Sequence, residues 1–354
     1  MNPVALFLKF MYPLLFHPNL HTVVWGGHNL RPYKGMTPND DPVGESWEVS
    51  AVPGSTSVIA NGAWAGRDLT DVISQYPEEI LGKAVNEKYG GKLPLLVKFI
   101  DAERDLSIQV YPNDEMARRE HGKMGKSEMW YVIHADEGSH LYAGFKQTIT
   151  PEEYQRRIAD GTIVEVLADH PVKAGDVFYL PAGRVHAICG GILLAEVQQS
   201  SDVTYRIYDY NRPGMDGKPR ELHTELAAKA LDYRVERNYR TEYSETDNRA
   251  IQVVDSPYFD VRVMEITDSF HRNLLKYDSF IITMCIEGDC LLRVRSTGDE
   301  ITLRAGHTAL IPAAIADYDV TPLQGTTRLL DAFIDNMDRT FTAKMTRFLH
   351  IERI

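Results

Sequence analysis

The sequence predicts a mainly β protein of two antiparallel jelly-roll barrels, with helices inserted mainly in the first barrel. Short apolar segments alternate with polar ones and are separated by turns rich in Gly and Pro, a pattern typical of antiparallel sheets. A hairpin motif occurs twice, as KAGDVFYLPA at 173–182 and as RAGHTALIPA at 304–313. The chain is long enough for two domains, which we place at residues 1–240 and 241–354.

Length, composition and charge narrow the classes of function. With 354 residues, 44% hydrophobic and 25% charged, the chain has the composition of an ordinary globular protein. Its formal net charge of −12 and its scattered Lys and Arg indicate no basic surface for nucleic acid. No segment has the length of a membrane helix. The cysteines Cys189, Cys285 and Cys290 lack a CxxC spacing and indicate reduced thiols in the cytoplasm.

Helices are predicted at a few places from their start signals and spacing. Asp68 precedes a run of apolar residues at helical spacing. Thr150 precedes Pro151 and two acidic residues, which together form a strong helix start. Residues 222–231 are rich in Ala, Leu and Glu and indicate another helix. The dense charge at 233–249 predicts a linker or a surface crossing.

Two strands of the first half carry polar residues at alternating positions. Residues two apart in a strand share a face of the sheet. Gln109 therefore points to the same side as Tyr111. In the next predicted strand, Glu128 shares a face with Lys126 and Trp130. These side chains are predicted to reach one polar cavity.

Three more charged residues lie in neighbouring predicted strands. Lys98 lies in the middle of the apolar segment 93–100. It is either a strand residue whose amine reaches solvent or a cation delivered into a polar cavity. Glu196 and Arg206 follow in later strands, where they either pair with each other or serve the same cavity.

His186 follows the first copy of the hairpin motif and is the main candidate metal ligand. An isolated histidine at the start of a strand is more often a core or surface residue. Gln109 and Glu128 shift this balance, because an amide oxygen, a carboxylate and an imidazole together suit a metal such as zinc. The second hairpin has Ala316 and Asp317 near the corresponding position, so the first barrel is predicted to carry the site.

Five segments of the first half occur in the order known from one enzyme family. They read LPLLVKFIDA, DLSIQVYPND, GKSEMWY, LPAGRVHA and EVQQSSDVTYRIYDY. Together they resemble the type I mannose-6-phosphate isomerases, zinc enzymes of the cupin superfamily. The resemblance begins near Trp25, extends to about Arg220 and continues more loosely through the second half. It implies two cupin-type barrels, the second without metal ligands.

The resemblance implies a ligand set for one Zn²⁺ per chain. It assigns Gln109, Glu128 and His186 as ligands. Tyr111 stands where the family has its fourth ligand, a histidine. A phenol has a reference pKa of about 10 and must lose or share its proton to bind a metal, so a lower metal affinity is expected.

The resemblance also implies the reaction, an interconversion of mannose 6-phosphate and fructose 6-phosphate through a cis-enediol. It assigns proton transfer to Glu196, and it assigns the binding of substrate oxygens or of the phosphate to Lys126. Arg206 is assigned to the phosphate or to charge in the transition state, and Lys98 is a further substrate-binding cation. The metal or a cation stabilises the developing oxyanion.

Two alternatives belong to other functional classes. A weak or inactive cupin paralogue that binds a sugar phosphate is one of them. Another cupin reaction, such as an oxygenase or epimerase, is disfavoured because two closely spaced histidines are missing and the cations suit a phosphorylated substrate.

The expected partner is a small sugar phosphate, with no nucleic acid and no membrane. The chain is expected in the cytoplasm as a monomer or weak homo-oligomer.

Overall fold

The fold is mainly β, as the sequence predicts. The structure, a computed structural model, describes residues 11–274 and 277–335, so residues 1–10 and 336–354 of the predicted domains lie outside it. The strands are β1 Leu14–Leu15, β2 Leu20–Gly27, β3 Val43–Val49, β4 Leu95–Ala102, β5 Ile108–Val110, β6 Glu128–Ala135, β7 His140–Phe145, β8 Leu167–Pro171, β9 Val177–Leu180, β10 His186–Ile188, β11 Ile192–Gln199, β12 Tyr205–Tyr208, β13 Arg240–Thr241, β14 Arg249–Asp255, β15 Asp260–Ile266, β16 Phe270–Asn273, β17 Ile281–Glu287, β18 Asp289–Val294, β19 Glu300–Arg304, β20 Thr308–Ile311, β21 Asp317–Pro322 and β22 Thr327–Phe333. The α-helices are α1 Leu30–Tyr33, α2 Leu69–Gln75, α3 Pro77–Leu81, α4 Lys83–Tyr89, α5 Asp114–His121, α6 Pro151–Ala159 and α7 Thr224–Ala230.

The chain divides into two compact units, each assembled from separate segments. The first, here called the site unit, comprises Pro18–Ser57 and Pro94–Tyr243. The second, the C-terminal unit, comprises the described residues up to His17, Val58–Leu93 and the described residues from Ser244 onward. Helices α2 to α4 therefore group with the C-terminal strands, whereas α1, α5, α6 and α7 belong to the site unit. The predicted domain boundary after residue 240 lies close to one of these junctions and stays a prediction.

The site unit contains two antiparallel sheets that pack face to face. The five-stranded sheet has the order β12-β5-β10-β7-β8, and the seven-stranded sheet has the order β13-β9-β6-β11-β4-β2-β3. A buried cluster joins Trp130 and Leu194 of the larger sheet to Leu141 and Ile188 of the smaller one. The interior between the sheets is therefore lined from both sides.

Helices α6 and α7 cover the outer face of the five-stranded sheet. Tyr154 of α6 and Ala227 of α7 are buried against apolar residues of β5 and β12. Since alternate residues of these strands face the helices, the residues between them face the interior. Gln109 of β5 and Arg206 of β12 are such residues.

The predicted helices are present where their start signals lie. Helix α2 begins directly after Asp68. Helix α6 begins after Thr150, whose Oγ1 accepts a hydrogen bond from the Glu153 N–H at 3.2 Å. Helix α7 lies within the predicted segment 222–231. Among the residues that the structure describes, no helix is long and apolar enough to cross a membrane.

The prediction of a linker at 233–249 is wrong in part. Strand β13 lies within this segment and pairs with β9. Tyr239 is buried, and its hydroxyl donates a hydrogen bond to the Phe145 carbonyl at 2.8 Å. This segment contains the edge strand of the seven-stranded sheet. The many charged residues around Tyr239 made that strand hard to predict from the sequence.

The C-terminal unit also contains two antiparallel sheets. Their orders are β1-β20-β17-β22-β15-β14 and β16-β21-β18-β19. The predicted repeat of the hairpin motif is confirmed, since its two copies form β9 and β20. Each copy begins with a turn glycine, Gly175 with φ 88° and Gly306 with φ 75°. Only glycine adopts this backbone conformation without strain.

The repeat aligns one buried position of each unit. The second residue of β9 pairs with Trp130 of β6, which in turn pairs with Glu196 of β11. The second residue of β20 pairs with Thr283 of β17, which in turn pairs with Asp331 of β22. Glu196 and Asp331 therefore occupy equivalent positions in the two units.

Candidate active site

One row of interior residues comes from the five-stranded sheet. Arg206 of β12 pairs with Gln109 of β5, and Gln109 pairs with His186 of β10. The turn before His186 depends on Gly183, which has φ 92° and donates its N–H to the Tyr111 carbonyl at 2.9 Å. This hydrogen bond ties the turn before His186 to the residue that follows β5.

A second row comes from the seven-stranded sheet. Lys98 of β4 pairs with Glu196 of β11, and Glu196 pairs with Trp130 of β6. Glu128 lies two residues before Trp130 in β6 and pairs with Gln198. Since residues two apart share a face, Glu128 and Trp130 project into the same interior, as the sequence predicts.

The four residues predicted as metal ligands meet where the two rows face each other. Gln109 Nε2 donates a hydrogen bond to Tyr111 Oη at 3.0 Å, and Tyr111 Oη donates to Glu128 Oε1 at 3.3 Å. His186 Nε2 lies 3.4 Å from the same Glu128 Oε1. Glu128 and His186 are 0% and 1% exposed, so both side chains are buried.

His186 presents a free lone pair to the site. Its Nδ1 lies 2.8 Å from the Arg184 carbonyl, which only accepts, so Nδ1 carries the proton. Nε2 is buried and has no hydrogen-bond partner among the described residues. Burial lowers the pKa of His186 to about 3, so the imidazole is neutral at physiological pH.

Two buried lysines supply the positive charge of the site. Lys126 Nζ lies 3.5 Å from Glu128 Oε2 and 4.0 Å from the centroid of the Tyr111 ring. Lys98 Nζ lies 3.2 Å from Glu196 Oε1 and 3.7 Å from Glu45 Oε2. Two ammonium groups thus contact three carboxyl groups.

The two central carboxyl groups differ in their tendency to ionise. Burial raises the pKa of Glu128 to about 8, and the nearby charge of Glu196 adds to this effect. Burial also opposes the ionisation of Glu196, but Lys98 and Lys126 outweigh it and hold the pKa of Glu196 below its usual value. Glu196 is therefore the ionised carboxylate at neutral pH, and a further cation would favour ionised Glu128 as well.

The donor atoms of this site fit a metal ion. Glu128 Oε2 and His186 Nε2 are buried without a hydrogen-bond partner among the described residues, so both atoms can offer a lone pair to a cation. Among the residues that the structure describes, no group of three or more His, Cys, Asp or Glu side chains could hold a metal ion. The amide of Gln109 and the phenol of Tyr111 would have to complete the ligand set.

The structure separates Arg206 from the other predicted site residues. Arg206 lies on the far side of Gln109 from His186, at the edge strand of the sheet. Sequence reasoning also missed Trp130 as a partner of Glu196, although its indole Nε1 donates to Glu196 Oε2 at 3.1 Å. Alternation had placed Trp130 on the interior face, but it does not predict which residue lies opposite.

Glu45 is a further carboxyl group of the site. It accepts a hydrogen bond from the Trp47 indole at 2.6 Å and contacts Lys98. Both Glu45 and Trp47 lie in β3.

Comparison with known proteins gives one consistent result. Residues 14–132 match the family model "Phosphomannose isomerase type I, catalytic domain", and residues 250–333 match "Mannose-6-phosphate isomerase, cupin domain". A probable mannose-6-phosphate isomerase of Bacillus subtilis is 35% identical over 87% of this chain and 96% of its own length. The mannose-6-phosphate isomerase of Streptococcus mutans is 34% identical over 86% of this chain and 94% of its own.

A solved structure extends the similarity to three dimensions. The crystal structure of the mannose 6-phosphate isomerase from Bacillus subtilis is 31% identical, with a TM-score of 0.82, over 91% of this chain and 99% of that one. A putative mannosephosphate isomerase of Archaeoglobus fulgidus, 23% identical with a TM-score of 0.74, shares the fold.

Proposed function

The chain belongs to the type I mannose-6-phosphate isomerase family, and we propose that it interconverts mannose 6-phosphate and fructose 6-phosphate with the help of one bound metal ion. The observation that carries this proposal is the buried pair of Glu128 and His186 beside an ionised Glu196: Glu128 Oε2 and His186 Nε2 have no hydrogen-bond partner among the described residues. A site for a cation next to a base is what an aldose–ketose isomerisation needs.

We assign proton transfer to Glu196. Its carboxylate takes the proton from C2 of the aldose, the electron pair forms the C1–C2 double bond, and O1 takes up the negative charge of a cis-enediolate. The O2 proton then passes to O1, and Glu196 returns its proton to C1, which gives the ketose. Lys98 and the Trp130 indole hold the carboxylate of Glu196 in place for both transfers.

The cations of the site have distinct proposed roles. Lys126 lies beside Glu128 at the centre and is proposed to bind oxygens of the sugar. Lys98 is proposed to contact the sugar as well, although its present partners are the carboxylates of Glu45 and Glu196. Arg206 is proposed to bind the phosphate.

The proposed metal is Zn²⁺, one per chain. Gln109, Tyr111, Glu128 and His186 would hold it. When bound, it supplies positive charge that stabilises the oxygen of the enediolate. The cytoplasmic location, the monomeric or weakly associated state and the lack of nucleic-acid binding stay predictions from composition.

A coupled isomerase assay with added zinc, on the native chain and on Tyr111→His, tests this function. We expect turnover of mannose 6-phosphate that is lost on chelation. Since an imidazole is a better ligand than a protonated phenol, Tyr111→His should bind zinc more tightly by at least about 10-fold, the lower end of what changes around a metal ligand produce. Metal content after dialysis measures this directly.

Tyr111 favours one second candidate, a protein that binds a sugar phosphate without turnover. Its phenol already donates to Glu128 and accepts from Gln109, and burial and the charge of Glu128 raise the pKa of Tyr111 well above its usual value. A metal-free native chain with no turnover, but with retained affinity for mannose 6-phosphate, would establish this candidate and refute the isomerase.

A further inference from the structure

Three arginines gather around one buried carboxylate at the end of β12. Arg220 donates to Asp209 through Nε at 2.7 Å and through Nη2 at 2.6 Å. Arg212 donates to Asp209 Oδ1 through Nε at 3.0 Å. Arg206 lies nearby, since the charges of Arg220 and Arg212 both lower its pKa after the larger effect of burial. We call Arg206, Asp209, Arg212 and Arg220 the arginine cluster.

The arginine cluster lies at one end of the interior row of the five-stranded sheet. Arg206 is paired with Gln109, and Gln109 is paired with His186, so all three project from one face. Neighbouring strands lie about 4.8 Å apart, so Arg206 and His186 are separated by about 10 Å. A six-carbon sugar phosphate carries its phosphate at the opposite end from the reacting carbons C1 and C2.

The arginine cluster has more positive charge than its own acid neutralises. Three guanidinium groups face one buried carboxylate, and the other acid near Arg206, Glu221, has a side chain that is 84% exposed. Arg206 Nη1 donates to the Glu221 carbonyl at 2.9 Å. Its Nε is buried and has no hydrogen-bond partner among the described residues. A buried donor without an acceptor is costly unless a ligand satisfies it.

The backbone between the arginines is held in an unusual conformation. Tyr210 and Asn211 both have positive φ, 55° and 53°, although neither is glycine. This conformation costs free energy for ordinary residues and persists only where the surroundings enforce it. Here it turns the chain back so that Arg212 reaches Asp209, three residues earlier.

We infer that Arg212 and Arg220, held in place by Asp209, bind the phosphate of the sugar phosphate together with Arg206. Asp209 aligns both guanidinium groups before the ligand arrives, which lowers the entropy lost on binding. Arginine suits a phosphate because its planar fork donates two parallel hydrogen bonds. This inference rests on the proposed function, because it assigns one end of the same substrate.

Binding by calorimetry of mannose 6-phosphate, mannose and inorganic phosphate to the full chain tests the inference. Arg220→Ala should weaken the binding of mannose 6-phosphate and of inorganic phosphate by about 10- to 100-fold. This is the range expected when hydrogen bonds to a charged group are lost. The affinity for mannose should not change. Arg220→Lys keeps the charge without the fork and should lie between the native chain and Arg220→Ala.

Arg234→Ala is the matched control. Arg234 donates to Asp232 through Nε at 2.9 Å and through Nη2 at 2.6 Å, the same kind of pair, but its side chain is 81% exposed. The Arg234→Ala variant should bind mannose 6-phosphate, mannose and inorganic phosphate with unchanged affinity. Thermal unfolding of each variant verifies folding, and Arg212→Ala replaces Arg220→Ala if the latter unfolds.

The outcomes separate this inference from the proposed function. Equal affinity of the native chain and Arg220→Ala for mannose 6-phosphate overturns the inference, even if the native chain is an isomerase. An inactive native chain whose affinity for mannose 6-phosphate depends on Arg220 overturns the proposed function and supports the inference. If Arg220→Ala weakens the binding of mannose and of mannose 6-phosphate equally, the inference is also overturned, because the arginine would then act on the fold or on the sugar ring.

Discussion

The two units bury a carboxylate at equivalent positions and surround it in different ways. In the C-terminal unit, Asp331 Oδ1 accepts from Thr283 Oγ1 at 2.7 Å, and Oδ2 accepts from Arg272 Nη2 at 2.7 Å. In the site unit, Glu196 contacts Lys98 at 3.2 Å and accepts from the Trp130 indole at 3.1 Å. Both carboxylates are almost fully buried, so burial alone does not distinguish their roles.

The difference lies in what remains unpaired around each carboxylate. Asp331 accepts hydrogen bonds at both of its oxygens, one of them from a guanidinium. Around Glu196, three carboxyl groups contact two ammonium groups, and the lone pair of His186 Nε2 has no partner in the described part of the chain. A closed polar group stabilises a fold, whereas a buried group with spare lone pairs is suited to bind a ligand.

Substitution of Glu196 should have the largest effect on activity. Glu196→Gln removes the proposed base, so kcat should fall by about 10²- to 10⁴-fold in a coupled assay with mannose 6-phosphate. Lys98 keeps Glu45 as a partner at 3.7 Å, so the variant should still fold, which thermal unfolding verifies. A variant with native kcat would show that another group moves the proton.

Substitution of Asp331, at the equivalent position, should lower the stability and leave the activity unchanged. Asp331→Asn removes the carboxylate that lies 2.7 Å from Nη2 of Arg272, a guanidinium that is 3% exposed. Denaturant unfolding should show a loss of about 3–5 kcal/mol. At a temperature where the variant is folded, kcat and KM for mannose 6-phosphate should equal those of the native chain. A fall in kcat with unchanged stability would erase the distinction between the two units.

Substitution of an exposed arginine in the C-terminal unit should have the smallest effect. Arg295 donates to Asp319 from Nε and Nη2 at 2.7–3.0 Å, but half of its side chain is exposed. Since solvent screens such a pair, Arg295→Ala should leave the denaturant midpoint of unfolding almost unchanged. A loss as large as that of Asp331→Asn in the same denaturant experiment would mean that burial does not set the strength of these pairs.

Strand alternation made the centre of the site predictable. The two-residue period is a property of the extended backbone and does not depend on which strands become neighbours. It placed Gln109 with Tyr111 and Glu128 with Trp130, and the structure confirms both pairs. The hairpin motif singled out His186, and the family resemblance assigned the full set of metal ligands, which stays a prediction.

Register and loops limited what else the sequence revealed. The hydrogen bond from Trp130 to Glu196 depends on how two distant strands align, and single-strand alternation does not encode that alignment. Arg212 and Arg220 lie beyond β12 in a loop without any period, where the positive φ values of the backbone set their positions. Tyr239 was hidden because its neighbours are charged.

Strand β1 gives the C-terminal unit an order of assembly. It is the first described strand to leave the ribosome, yet Leu14 and Leu15 pair with Leu310 and Ala309 of β20. That partner exists only after residue 311 has been added, whereas all segments of the site unit have been made once residue 243 has been added. During the interval the edge of β1 that β20 later covers lacks its strand partner, and other chains can capture such an edge.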